Sequence, residues 1–252
     1  MSKKTQRQIQ ILSALEANPA IRVSELAEQM RVSQETLRRD LNELDETGRL
    51  KRTYGGAVRT KTFEPALAER SQQHIREREE IARLVLARLG DADSLFIGGG
   101  ATTLHFARAL RATDRALTVL TPAFSIATEL SINPRIQVMA LPGIVEPKEG
   151  LVYGAETVKC IRSFRTPIAV MGASGIDEDG VSEALLHAAQ IYAAMIESAD
   201  HTLILADSTK FGNRSLQQII GWSETVTLVS ETSPPPALLN AIRQRGAELI
   251  FE

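Results

Sequence analysis

From about residue 90 onward, short apolar runs recur with helical segments between them: Ser94 to Ile97, Leu117 to Leu120, Ile136 to Leu141, Ile168 to Met171, Thr202 to Leu205, Thr225 to Val229 and Glu248 to Phe251. No other feature of the chain narrows the fold as far. Near-continuous apolar strands alternating with helices read as a largely parallel α/β sheet, since parallel neighbours need long crossovers. In such sheets ligands bind beyond the carboxyl ends of the strands, where loops and helix N-termini supply backbone donors.

Residues 1–60 follow a different period. Ile9, Leu12 and Leu15 recur on one helical face that should end near Asn18-Pro19, because proline disfavours helix at the residue before it. A second helix is expected from Val23-Ser24, with Ser24 as N-cap and Leu26 and Met30 on its buried side. Ser33 should cap a third helix with a stripe of Leu37, Leu41 and Leu44, stopping at Gly48. Arg49 to Tyr54, a Gly55-Gly56 turn and Ala57 to Thr60 then read as a hairpin. Three short helices and a hairpin are the order of a winged helix-turn-helix.

On the third helix, at 100° per residue, the leucines lie within about 60° of one another while Glu35, Arg38, Arg39 and Asn42 gather opposite. Arginine can pair bidentately with guanine and glutamine with adenine, so Ser33, Gln34, Glu35, Thr36, Arg38, Arg39 and Asn42 are the candidates for contact with DNA. Lys51, Arg52, Tyr54, Gly55 and Arg59 belong to the wing, whose basic residues suit phosphate. The alternative is that Arg38 and Arg39 are solvated helix arginines paired with Glu35 or Glu43; the helix-turn-helix order favours DNA. Charge agrees in sign only: residues 1–60 carry net +3 and residues 61–252 net −5, a split that hints at two domains with different partners.

Several classes drop out. The chain is 43% hydrophobic and 24% charged, a globular profile, and no run reaches the ~20 apolar residues of a bilayer span. Its start lacks the apolar core and cleavage site of a signal peptide, so a cytoplasmic location is expected. A single cysteine, Cys160, leaves no intrachain disulfide, and His74, His105, His187 and His201 lack metal-ligand spacing. Neither metal nor cofactor is expected.

Three loops after apolar runs hold small polar residues. Gly98, Gly99, Gly100, Ala101, Thr102 and Thr103 open a helix, with glycines that let the backbone approach an anion and threonines offering hydroxyls and a cap. The loop misses the dinucleotide fingerprint, because Thr103 stands where the third glycine belongs, and lacks the Gly-Lys-Ser/Thr of a P-loop. A plain strand-to-helix turn is an equal reading of it in isolation. The second loop runs from Gly172 through Ser174, Gly175 and Asp177 to Gly180, and the third from Asp207 to Gly212, where Lys210 supplies positive charge. Lys210 beside Asp207 also fits a solvated ion pair.

The segment Gln6 to Val58, with Thr36-Leu37-Arg38-Arg39-Asp40-Leu41 and Leu50-Lys51-Arg52-Thr53-Tyr54-Gly55-Gly56-Ala57, resembles the DNA-binding domain of DeoR-family bacterial transcriptional regulators. The later loops resemble that family's effector domain, whose fold is related to ribose-5-phosphate isomerase and the sugar-phosphate deaminases. The resemblance implies a winged helix-turn-helix at 1–60, a linker helix at 61–80 and a Rossmann-like α/β effector-binding domain at 81–252. It also implies a repressor of a carbohydrate or related operon, binding double-stranded operator DNA and a phosphorylated small molecule as a homodimer or homotetramer, with Gly98 to Thr103, Thr121, Gly172, Ser174, Gly175, Asp177 and Lys210 at the ligand. Family members carry basic residues near Arg70 and Arg78. The chain departs from the family's Asp-Ser-Gly-Thr-Thr-Thr-like loop at Gly98 and Ala101, has Pro122 for a frequent asparagine, and has Ala188 and Tyr192 where relatives have a glutamate and then a lysine. The phosphate end therefore matches better than the sugar-reading end.

An enzyme of the isomerase type with a DNA-binding appendage is the competing class. Asp177, Asp179 and Glu183 are the carboxylates near the loops, but no spacing marks one as a base, and Ser208 with Lys210 lacks a third, orienting group. A regulator is the preferred reading.

Overall fold

The structure is a computed structural model that describes residues 3–17, 21–46, 50–53, 56–59 and 67–252. The chain divides into two compact units, Met1–Pro65 and Ala66–Glu252.

In the first unit α1 (Lys3–Ala17), α2 (Val23–Gln29) and α3 (Gln34–Glu46) precede an antiparallel pair, β1 (Leu50–Thr53) and β2 (Gly56–Arg59). Ile11, Leu12, Leu15, Leu26, Leu37, Leu41, Leu44 and Leu50 form its core, each fully buried leucine contributing roughly 1.5 to 3 kcal/mol. Ile9 is only half-buried and Ile11 takes its place. The stripe is Ile11, Leu12 and Leu15, and Ile9 falls about 60° beyond its edge. Met30, expected on the buried side of α2, is the half-buried C-cap. The N-cap of that helix is Arg22, two residues before the expected Ser24: the Arg22 N–H donates to Glu25 Oε2 at 3.4 Å, and Ser24 lies inside the first turn. Ser33 does cap α3, its Oγ accepting from the Thr36 N–H at 3.1 Å. Gly56 pairs with Thr53 and so belongs to β2 rather than to the turn. Asn18, Pro19, Gly48, Tyr54, Gly55 and Thr60 lie outside the described residues.

The second unit begins with α4 (Leu67–Arg70) and α5 (Ile75–Leu86), followed by β3 (Ser94–Ile97), α6 (Ala101–Arg111), β4 (Leu117–Thr121), α7 (Phe124–Leu130) and β5 (Ile136–Ala140). A hairpin of β6 (Ile144–Glu146) and β7 (Leu151–Tyr153) leads to α8 (Ala155–Arg162), β8 (Thr166–Gly172), β9 (Gly175–Asp177), β10 (Gly180–Glu183), α9 (Leu186–Glu197) and β11 (Ala199–Leu205). The chain closes with β12 (Gln217–Gly221), β13 (Val226–Val229), α10 (Pro236–Gln244) and β14 (Glu248–Ile250). The linker helix expected at 61–80 is, in its described part, two helices interrupted at 71–74, where His74 adopts φ 51°.

All seven expected apolar runs become strands of one sheet, ordered β14-β13-β11-β8-β3-β4-β5, and every neighbouring pair is parallel. Alternate residues feed two cores. Phe96, Leu120, Ala169, Met171 and Ile204 pack under α8, α9 and α10, while Leu95, Ile97, Val119, Val170 and Leu205 pack under α5, α6 and α7. The first three strands step outward one way from β3 and the last four the other way from β8. The order therefore reverses between β3 and β8, the switch point at which an open parallel sheet leaves a crevice. Short pairs were not foreseen: β6 with β7, and β10 between β9 and β12. The stretch after β8 is thus a strand and a tight turn instead of a loop. Among the described residues no helix is long and apolar enough to cross a membrane.

Candidate functional site

In the first unit, the capped start of α3 presents Gln34, Glu35, Arg38, Arg39 and Asn42 to solvent with Thr36 half-buried. Neither Arg38 nor Arg39 forms an ion pair with any described residue; Glu43 instead pairs with Lys4 at 2.6 Å. Lys4 and Gln8, helped by Arg39 acting through space, hold the Glu43 carboxyl below the ordinary range. The back of α3 is held by a feature that periodicity does not mark: Asp40, 2% exposed, accepts from Arg7 Nε and, at 3.3 Å, from Arg7 Nη2. Lys51 and Arg52 lie in β1 and Arg59 in β2.

In the second unit, the three polar loops follow β3, β8 and β11, which are adjacent strands, so all three meet at one edge of the sheet across the switch point. Gly98 is fixed by its N–H to Val170 O at 2.9 Å, and a Cβ there would lie 2.8 Å from Met171 Sδ. Gly100 has φ 139°, a region that favours glycine, and is the N-cap of α6. Neither threonine caps that helix. Thr103 instead donates its hydroxyl to Gly100 O at 3.1 Å. The amide N–H groups from Gly99 to Thr103 have no acceptor among the described residues, leaving a row of donors at the positive end of a helix dipole.

The other expected ligand residues sit as follows. Thr121, buried at the end of β4, accepts from the Ala123 N–H at 3.2 Å, a local turn contact. A Cβ on Gly172 would lie 3.9 Å from Gly99 O, which places the ends of β3 and β8 side by side. Ser174 donates to Glu183 Oε1 at 3.1 Å, and the same oxygen accepts from the N–H groups of Ala184 and Leu185. Asp177 accepts from the N–H groups of Asp179 and Gly180, and Asp179 pairs with Arg214 at 3.1 Å. Each carboxylate that could have served as a catalytic base is thus already engaged. Lys210 ends a single 3-10 turn, Ser208–Lys210, after β11.

Arg70 and Arg78 are each held by a buried carboxylate of the second unit. Arg78, 4% exposed, reaches Asp207, 1% exposed, at 3.4 Å, and gives its other terminal nitrogen to the carbonyls of Arg70 and Gln73. Those carbonyls belong to the interrupted turn after α4, so the guanidinium supplies donors that a continuous helix would have supplied itself. Arg70 pairs with the buried Glu149. Burial works against the charge of Asp207, but the Thr209 hydroxyl, Lys210 and Arg78 outweigh it and hold its carboxyl below the usual range. A shallow groove lined by Gly154, Lys159, Arg162 and Gln190 lies beside α8.

Residues 73–232 match the DeoR C terminal sensor domain, and residues 7–63 match the DeoR-like helix-turn-helix domain. The chain belongs to the DeoR family. It is 28% identical to the glycerol-3-phosphate regulon repressor of Escherichia coli over 98% of both chains, and 28% identical to the transcriptional repressor GlcR of Bacillus subtilis over 97% of this chain and 95% of that one. Among solved structures, the ribose 5-phosphate isomerase A of Methanocaldococcus jannaschii aligns with 54% of this chain and 54% of its own at 15% identity and a TM-score of 0.40. This DeoR-family chain is a DNA-binding transcriptional regulator and not an enzyme.

Proposed function

We propose that this DeoR-family regulator represses a carbohydrate or related catabolic operon, and that a phosphorylated small metabolite seated at the start of α6 lowers its affinity for operator. Residues 1–60 read DNA, 61–80 link and 81–252 sense; the protein works in the cytoplasm as a homodimer or homotetramer. The supporting observation is the row of acceptor-free N–H groups from Gly99 to Thr103 at the switch point, with Lys210 on the loop after the second strand along. Gly98, Ala101, Gly172, Ser174 and Gly175 line the same sheet edge. Anions are favoured there by oriented donors and by the helix dipole. The Escherichia coli relative's name makes glycerol 3-phosphate the first compound to try.

A thermal-shift screen of phosphorylated metabolites finds the effector, because ligand at 100 times its dissociation constant adds about 2.7 kcal/mol to the folded state. Operator is then titrated with wild type and with Gly100→Asp, each with and without that compound. Wild type should lose operator affinity on adding it and the variant should not, since the new carboxylate occupies and repels the phosphate position. An equal response in both would sink the assignment of the loop. Light scattering checks the assembly: a monomer at micromolar concentration, with and without DNA, refutes the oligomer.

A further inference from the structure

The peptide joining Gly99 to Gly100 has one feature the proposed anion site does not use. Its carbonyl oxygen lies at the end of β8, 3.9 Å from where a Cβ on Gly172 would stand, and an unpaired oxygen beside the row of N–H groups would repel an anion. Tyr192 of α9, 4% exposed, donates its hydroxyl to that oxygen at 3.1 Å. The ring fits because residues 98 and 99 carry no side chain: a Cβ on Gly98 would lie 3.2 Å from Tyr192 Cε1, and one on Gly99 3.2 Å from its Oη. In a trans peptide the C=O and the following N–H point in opposite directions. With the Gly99 carbonyl turned to Tyr192, the Gly100 N–H is turned away from it, and that N–H has no acceptor among the described residues.

We infer that Tyr192 is a positioning residue of the effector site. Through its bond to Gly99 O it removes a carbonyl from the crevice and fixes the Gly100 N–H in the orientation that receives an anion. Tyr192 also fills the space beside Gly98, so the ligand gains no polar contact from that position, and binding rests on its anionic group. This inference rests on the reading of residues 99–103 as the anion site.

The test uses the full-length protein with inorganic phosphate as probe, following the amide signal of isotope-labelled Gly100 together with the thermal midpoint. In wild type the Gly100 signal should move on titration. Tyr192→Phe keeps the ring in place and should weaken phosphate binding about tenfold, the equivalent of about 1.4 kcal/mol, with a displaced Gly100 signal in the free protein. Gly98→Ala keeps the hydroxyl but presses a methyl on Met171 Sδ and on the ring, and should weaken binding in the same direction. A merely structural tyrosine would lower the midpoint and leave phosphate affinity and the Gly100 signal unchanged, which overturns the inference while the site stands. A wild-type Gly100 signal that phosphate does not move overturns both.

Discussion

Arg78 and Asp207 meet at 3.4 Å with almost no exposure, although 129 positions separate them in the chain. The contact joins the start of the sensor unit to the loop after β11. Arg78→Ala takes one partner from the buried Asp207 carboxylate and leaves Thr209 and Lys210 beside it, so it should destabilise the second unit by about 3 kcal/mol or less. Arg78→Met with Asp207→Leu should lose less than Arg78→Ala alone, because a double apolar replacement leaves no stranded charge. Denaturant unfolding of the three proteins checks this; equal losses would mean that the pair is not coupled.

The same carboxylate gives an acid limit. Its folded-state pKa lies below its unfolded one, so its contribution is complete above the unfolded value of about 3.9 and disappears as pH falls through the folded value. Stability measured from pH 6 down to about pH 3 should drop at the acid end in wild type. Asp207→Asn should flatten that drop, and an unaltered profile would contradict it.

His105 and His201 set a second dependence at higher pH. Burial lowers both imidazoles, with Arg108 and Arg78 adding to the effect at His105 and Glu248 opposing it at His201. The unfolded chain takes up these protons first, near pH 6.5, so stability is complete above that value and declines below it. His105→Gln should reduce the slope between about pH 6.5 and pH 5; a slope unchanged in the variant counts against the burial argument.

Arg38→Ala and Arg39→Ala should each weaken operator binding, by ~1 to 3 kcal/mol where the lost contact is bidentate to a base. Neither side chain touches the core of the first unit, so thermal unfolding should be unaffected. Gel shifts at fixed salt decide the matter, and unchanged affinity in both variants would remove α3 from the reading of bases.

Breaking the lock behind α3 should act on stability. Arg7→Ala takes the hydrogen-bond donors from the buried Asp40 carboxylate and should cost about 1 to 3 kcal/mol of the first unit's stability. Proteolysis should then cut within the first unit at denaturant concentrations that spare wild type, while the second unit resists as before.

What the sequence made legible follows period and chain locality. The seven apolar runs are local in the chain, and each became a strand of the sheet. Ser33 as a cap and the leucines of α3 were readable for the same reason: a cap and a stripe involve neighbours three or four positions apart. The pairs that join distant positions were not readable. Arg7 with Asp40, Arg78 with Asp207 and Tyr192 with Gly99 O each link residues more than 30 positions apart, and no spacing rule announces them. β9 and β10 were hidden by their glycines, which read as loop. The departure at Tyr192 was visible as a letter, but its relation to Gly98 and Gly99 needed the fold.

The strand order also dictates a timetable for synthesis. β3 is made early, but the central strand β8, its partner across the switch point, comes from residues 166–172, and the Asp207 loop follows later still. A nascent chain leaving the ribosome from its N-terminus has therefore released the whole DNA-reading segment, α6 and Gly98 to Thr103 before the crevice can exist. Until β8 is translated and docks beside β3, the proposed anion site lacks one of the strands that would frame it.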